Sequence, residues 1–206
     1  MNNPDYICVL DFEATCDNCA KFDNEIIEFP SVLLKYEDNS YKVVSEFQRY
    51  CKPIVKPIVT KFCYELTGIT QEKVDTGDIF TKVLKDHGKW IMDNVNDKRV
   101  IILTCGEWDL GTMMINECKK HKIKPNKTYQ RFINIKSIFE NFYKAKSHGM
   151  KDMLEFLNIS LEGRHHSGID DSRNIAKIFQ RMVLDGYEYN ENDLILVDNN
   201  LYSNKK

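Results

Sequence analysis

Four apolar residues, Ile7 to Leu10, run without interruption into Asp11-Phe12-Glu13. A half-buried strand alternates apolar and polar residues, whereas a short uniformly apolar run is the pattern of a central strand covered on both faces. The stretch ICVLDFEAT therefore predicts cover on both sides of this strand and two carboxylates at its exit. Residues two apart on a strand share a face, so Asp11 and Glu13 are expected to point into one small space. Their like charges repel there and lose hydration, and a divalent cation between them would relieve both costs. The alternative is a turn aspartate followed by a solvated glutamate.

The rest of the composition bounds the class. With 206 residues, 42% hydrophobic and 29% charged, the chain can bury a core of α/β type. No apolar run approaches the roughly 20 residues of a membrane span, and MNNPDY, without a basic start and an apolar stretch, gives no expectation of a secretory signal. No membrane partner is expected, and an intracellular location, cytoplasmic or nuclear, is. The seven cysteines, odd in number and scattered, fit a reducing compartment. Cys16 and Cys19 form a lone CxxC without the second pair that a four-ligand zinc site needs, so they read as loop thiols. From Lys119 to Lys151 ten basic residues face one acid, Glu140, with Tyr129, Phe132, Phe139, Phe142 and Tyr143 interleaved. Such a run is either a phosphate-tracking, base-stacking surface or a solvated face.

Taken in order, Glu25 to Tyr36 reads as a strand in which Pro30 predicts an edge position or a bulge. Asp38-Asn39-Ser40 is a turn, and Lys42 to Tyr50 completes a hairpin. Thr60 begins a short helix, KFCYELT, closed by Gly68. Ile79, Val83, His87, Ile91 and Val95 recur every four residues and predict an amphipathic helix on which His87 is packed. Val100 to Cys105 is a second buried strand, again followed by a carboxylate, Asp109. Leu110 to Cys118 reads as helical, Phe132 to Lys136 as a short fifth strand, and Ile138 to Tyr143 and Met150 to Leu157 as helices. In GRHHSGIDDSRNIAKIFQRM the positions Ile175, Ile178, Phe179 and Met182 mark a helix starting at Asp170-Asp171-Ser172. Asp171 then lies in or beside its first turn, where an anion is favoured. The expected organisation is one domain over residues 1–190, with a mixed five-stranded sheet flanked by helices, and a polar tail over 191–206.

In open α/β sheets ligands collect beyond the carboxyl ends of the strands. If the first and fourth strands are neighbours, Asp11, Glu13 and Asp109 converge, and Asp171 joins them from the helix. Carboxylate oxygens select hard cations, Mg²⁺ or Mn²⁺. Two such ions about 3.5–4 Å apart can clamp a displacement at phosphorus. His166, five residues before Asp171, is the candidate to take a proton from water, with His165 as its rival.

The words DFEATC, LTCGEWDL and HHSGIDDSRNIA, in this order, resemble the three motifs of the DEDDh 3′-to-5′ exonucleases, which have the ribonuclease-H-like fold. EIIEFP, FCYELTGIT, FINIK and GRHHSGIDD are similar to the branch of the enhanced-RNAi and histone-mRNA 3′-exonucleases. The likeness runs from about Tyr6 to Gly186. It implies a 3′-to-5′ exoribonuclease that acts on RNA with a free 3′ end, single-stranded or overhanging, and releases 5′-mononucleotides. It also implies two Mg²⁺ ions held by Asp11, Glu13, Asp109 and Asp171, and His166 as general base by the spacing to Asp171. Asp170 is implied to be a helix-start residue and no ligand. Phe12, Glu13 and Ala14 would meet the terminal nucleotide and Leu66 would wedge near its base. Trp108 either lines the pocket or fills core. Glu107 and His165 depart from the usual residues. A DNA-trimming enzyme and a silent RNA-binding scaffold of the same fold are the alternatives.

Overall fold

In the computed structural model, which describes residues 3–19 and 22–198, the run Tyr6–Leu10 is strand β1 and is buried along its whole length. Its neighbours are β3 (Ile26–Glu37), antiparallel, and β5 (Val100–Thr104), parallel. Tyr6, Cys8 and Leu10 pack on one side of the sheet with Phe80, Val83 and Ile91 of helix α3 (Phe80–Val95). Ile7 and Val9 pack on the other with Ile175, Ile178 and Phe179 of helix α7 (Gly168–Leu184). Both faces are covered, which is why no residue of the run is polar.

Seven strands form one mixed sheet. β4 (Ser40–Tyr50) pairs with β3, and the path continues through β1, β5, β6 (Arg131–Asn134) and β7 (Leu194–Leu196). The two-residue strand β2 (Glu13–Ala14) resumes pairing with β3 where β1 has ended. The α/β class and the helix-flanked mixed sheet are as expected; the count of five strands is not, because β2 and β7 were too short to register as apolar runs. Asp38 and Asn39, with φ of 53° and 58°, make the two-residue turn that the twist of the β3–β4 hairpin favours.

Pro30 does not mark an edge. β3 is interior, and its even-numbered residues turn their N–H toward β1, as Tyr36 does in donating to the Asp5 carbonyl at 2.8 Å. Pro30 falls opposite the gap between Leu10, paired with Ser31, and Glu13, paired with Glu28, so its missing N–H leaves no ladder bond unmade. The bulge lies instead at Leu33/Leu34.

The remaining helices are α1 (Lys61–Thr67), α2 (Gln71–Asp75), α4 (Met114–Lys120), α5 (Ile135–Tyr143) and α6 (Met150–Phe156). Thr60 caps α1 by accepting from the Cys63 N–H, and Gly68 closes it at φ 72°. His87 is buried and hydrogen-bonded to the Tyr129 and Ser31 hydroxyls at 2.7 and 2.8 Å, a packed histidine as its stripe predicted.

One expectation is corrected, and one of two open readings is narrowed. The tail expected from residue 191 is ordered as far as it is described: a single helical turn, Glu191–Asp193, leads into β7, which pairs with β6. Ile195 packs on the core, and this short apolar LIL was masked by its asparagine-rich surroundings. Residues 199–206 lie outside the described residues. The basic stretch, second, is no stacking platform. Tyr129, Phe132 and Phe139 are buried, Phe142 and Tyr143 pack against the α7 side, and the Lys120 ammonium is held by Asp23 at 2.8 Å. No helix among the described residues is long and apolar enough to cross a membrane.

Candidate active site

The chain breaks from β1 at Asp11, and β2 begins at Glu13. Around this break lies an open cleft of about 400 Å³ lined by Asp11, Phe12, Glu13, Ala14, Leu66, Trp108, Asp109, His165, His166 and Asp171. Carboxylate oxygens of Asp11, Glu13 and Asp171 lie within 4.8 Å of one another. Asp109 lines the same cleft but stands outside that close trio. It opens the turn of π-helix Asp109–Met113 beyond β5, and its Oδ1 accepts the Phe12 N–H at 2.8 Å, which ties the exits of β1 and β5 together.

Asp171 is brought in by the start of α7. Gly168 permits it: a Cβ there would lie 2.7 Å from the Asp11 carbonyl oxygen and 2.8 Å from Pro30 Cγ, closer than packed atoms come. The Oδ2 of Asp171 accepts the His166 N–H at 2.8 Å. Its Oδ1 is buried with no hydrogen-bond partner. A buried, unpartnered carboxylate oxygen facing two further carboxylates is what a divalent cation would satisfy.

The crowding is visible in the titrations. Burial raises Asp11 well above the usual carboxylate range, and Asp109, Glu13 and Asp171 add repulsion. Burial also pushes Glu13 up to about 9, Asp109 to about 7 and Asp171 to about 6. Carboxyls protonated more readily in the folded than in the unfolded chain destabilise the fold as pH rises from the unfolded to the folded pKa. Without metal, therefore, the melting temperature should fall between about pH 4 and pH 9, the Asp171 part being complete near pH 6. Addition of Mg²⁺ should reverse the fall at neutral pH by about 5 °C. Calorimetric melts with and without EDTA check this, and a metal-free melting temperature that rises over that window would contradict it.

The two histidines stand together, with ring centroids 3.9 Å apart, and both line the cleft. His166 adopts φ 64°, a left-handed conformation, and His165 remains a geometric rival. Burial, then the Lys151 and Arg164 charges, lower the His166 pKa from its ordinary value, so its imidazole is neutral at pH 7 and able to accept a proton. The loop that carries it is strapped to α1: the Arg164 guanidinium donates to the Glu65 and Leu66 carbonyls at 2.7 and 3.1 Å. Leu66 is thereby held at the cleft wall. Asp170 turns away, accepting from the Arg164 N–H and from Arg173, both at 3.0 Å. Trp108 is 44% exposed at the cleft and fills no core. The Phe12 ring packs edge-on against Phe29, so Phe12 meets the cleft mainly through its backbone.

One residue of this centre escaped sequence reading. Glu28 on β3 faces Glu13 across the ladder, is 2% exposed, and accepts the N–H groups of Gly168 and Ile169. Ser167 makes no side-chain cap, so Glu28 caps α7 from a distance and sets where Asp171 comes to rest. An acid inside the otherwise apolar IIEFP was the available signal. Glu28→Gln keeps an acceptor and should melt near the parent, whereas Glu28→Ala orphans the helix start at ~1–3 kcal/mol. Thermal melts of the two check this, and equal losses would contradict it.

The model of the exonuclease family matches residues 8–179. The chain belongs to that family. Its resemblance to the mouse 3′-5′ exoribonuclease 1 is 42% identity over 198 residues, 93% of this chain and 57% of the mouse protein. The nuclease domain of 3′hExo, described as a DEDDh family member bound to rAMP, superposes with TM-score 0.85 at 38% identity, covering 91% of this exonuclease-family chain and 96% of that domain. A second structure, of a 3′-exonuclease recognising the 3′ end of a histone mRNA stem-loop, matches with TM-score 0.85 at 34% identity over 97% of this chain and 93% of that one. The ribonuclease-H-like fold expected from the motifs is thus the fold of this family member. The chain spans little more than half the length of the curated exoribonuclease it matches.

Proposed function

We propose that this exonuclease-family chain is a metal-dependent 3′-to-5′ exoribonuclease that removes 5′-mononucleotides from RNA with a free, single-stranded or overhanging 3′ end. The observation that carries the reading is the convergence of Asp11, Glu13 and Asp171, with an unpartnered Asp171 oxygen, beside a histidine in one open cleft. The rAMP held by the 3′hExo domain and the name of the mouse relative support RNA as the polymer.

Asp11, Glu13, Asp109 and Asp171 would hold two Mg²⁺ ions, with Mn²⁺ able to replace them. When bound, such ions acidify water and offset charge on the leaving oxygen. The chain's own part is positioning and proton transfer. His166, neutral and hinged on the Asp171 carboxylate through its backbone N–H, accepts the proton of the attacking water at its imidazole. The water oxygen bonds to phosphorus, the bond from phosphorus to the 3′-oxygen breaks, and that oxygen takes a proton from solvent to become the new 3′-hydroxyl. Glu13 and Ala14 would face the terminal ribose, and Leu66 and Trp108, which line the same cleft, would border its base.

The test is incubation of matched 5′-labelled RNA and DNA oligonucleotides with the purified chain, with Mg²⁺ and with EDTA. Mononucleotide release from RNA, Mg²⁺-dependent and progressing from the 3′ end, is expected. Digestion that persists in EDTA would overturn the metal reading, and DNA cut faster than RNA would overturn the choice of polymer.

A further inference from the structure

A feature beside the cleft is not used by this chemistry. Cys63, the third residue of α1, is fully buried, and its Sγ lies 3.6 Å from the Ala14 carbonyl. Cys16, two residues beyond β2, is half-buried and lines the cleft. It packs against the small cluster of Ile27, Cys63, Ile69 and Val74. The Thr60 hydroxyl donates to the Cys16 carbonyl at 2.7 Å, so the start of α1 is already pinned to this spot. Each thiol shifts the titration of the other, Cys63 downward and Cys16 upward. The buried cysteines elsewhere, Cys8, Cys51 and Cys118, have no such thiol partner in the described contacts, and burial pushes all three thiols up.

We propose that Cys16 and Cys63 form a reversible dithiol–disulfide site that clamps α1 to the end of β2. The oxidant is a hydroperoxide admitted through the cleft that Cys16 lines. One thiolate of the pair attacks a peroxide oxygen, breaking the O–O bond and giving a sulfenic acid and hydroxide. The second sulfur attacks the sulfenic sulfur, forms the S–S bond and displaces a second hydroxide. The two thiol protons convert both hydroxides to water when the oxidant is hydrogen peroxide. The proximity of the two thiols favours the thiolate on Cys63 and disfavours it on Cys16, so Cys63 is the nucleophile of the pair. Leu66 lies one turn beyond Cys63, so the bond fixes the wall of the site that carries it.

The site goes beyond the nuclease reading and does not depend on it, since its readout is covalent. The purified chain is treated with a small excess of hydrogen peroxide, alkylated without reduction and mapped by mass spectrometry. The expected result is the loss of two hydrogens, a Cys16–Cys63 linked peptide, a higher melting temperature, and reversal of all three by dithiothreitol. Cys19→Ser should retain the linkage, while Cys16→Ser and Cys63→Ser should each abolish it. The wild-type map decides the matter even if Cys63→Ser folds poorly. A Cys16–Cys19 linkage, or sulfinic acid on either residue without any linkage, would overturn the proposal.

Discussion

Replacing Asp11 by asparagine is expected to lower RNA hydrolysis by on the order of 10³-fold or more, ~4 kcal/mol of transition-state stabilisation. The same change should raise the melting temperature of the metal-free chain. The two signs come from one cause. Asp11 is the carboxylate on which burial and the charges of Asp109, Glu13, Asp171 and Glu28 all press, so removing its charge relaxes the apo fold while dismantling the cation site. A variant that lost activity by misfolding would lose stability as well. Single-turnover rates and calorimetric melts on the same preparation separate the cases; a destabilised Asp11→Asn would contradict the charge-crowding account.

His166→Ala is expected to reduce turnover by about 10²–10⁴-fold, the usual contribution of a positioned general base. Binding of Mn²⁺ should change little: the His166 ring nitrogen lies within 4.8 Å of an Asp171 oxygen, but the hydrogen bond that orients this carboxylate is the His166 backbone N–H, which alanine keeps. In the parent, kcat/KM should rise with pH through a pKa below 6.5, the direction in which burial, Lys151 and Arg164 move this imidazole. His165→Ala is the control, since its ring stands beside the other. A larger loss for His165→Ala would transfer the role to His165, and loss of metal binding in His166→Ala would make His166 a ligand.

Much of the scaffold was readable because burial leaves a periodic trace. The all-apolar β1, the four-residue stripe of α3 and the Thr60 and Gly68 signals each follow from one local rule. What was not readable depended on partners distant in sequence. Pro30 suggested an edge because nothing local reveals that β1 gives out opposite it. Tyr129, Phe132 and Phe139 suggested a stacking surface because lysines surround them, yet the lysines point outward from elements whose aromatic side is core. Glu28 went unnoticed because a helix is normally capped by its own preceding residue, and here a strand supplies the acceptor 140 positions away. Within the site, carboxylates at the ends of buried elements nominated Asp11, Glu13, Asp109 and Asp171, with His166 beside them, and the resemblance of three short words assigned their roles. The structure places all five on one cleft, with Asp109 set slightly apart by its bond to Phe12.

The chemistry proposed for this cleft depends on its carboxylates holding two cations. The most direct measurement is the stoichiometry of Mn²⁺ binding, followed by electron paramagnetic resonance in the presence of a mononucleotide product, for the parent chain and for Asp11→Asn. Two ions per parent chain, and fewer in the variant, is the predicted result. A parent chain that binds no Mn²⁺, or one whose binding is untouched by Asp11→Asn, would contradict it.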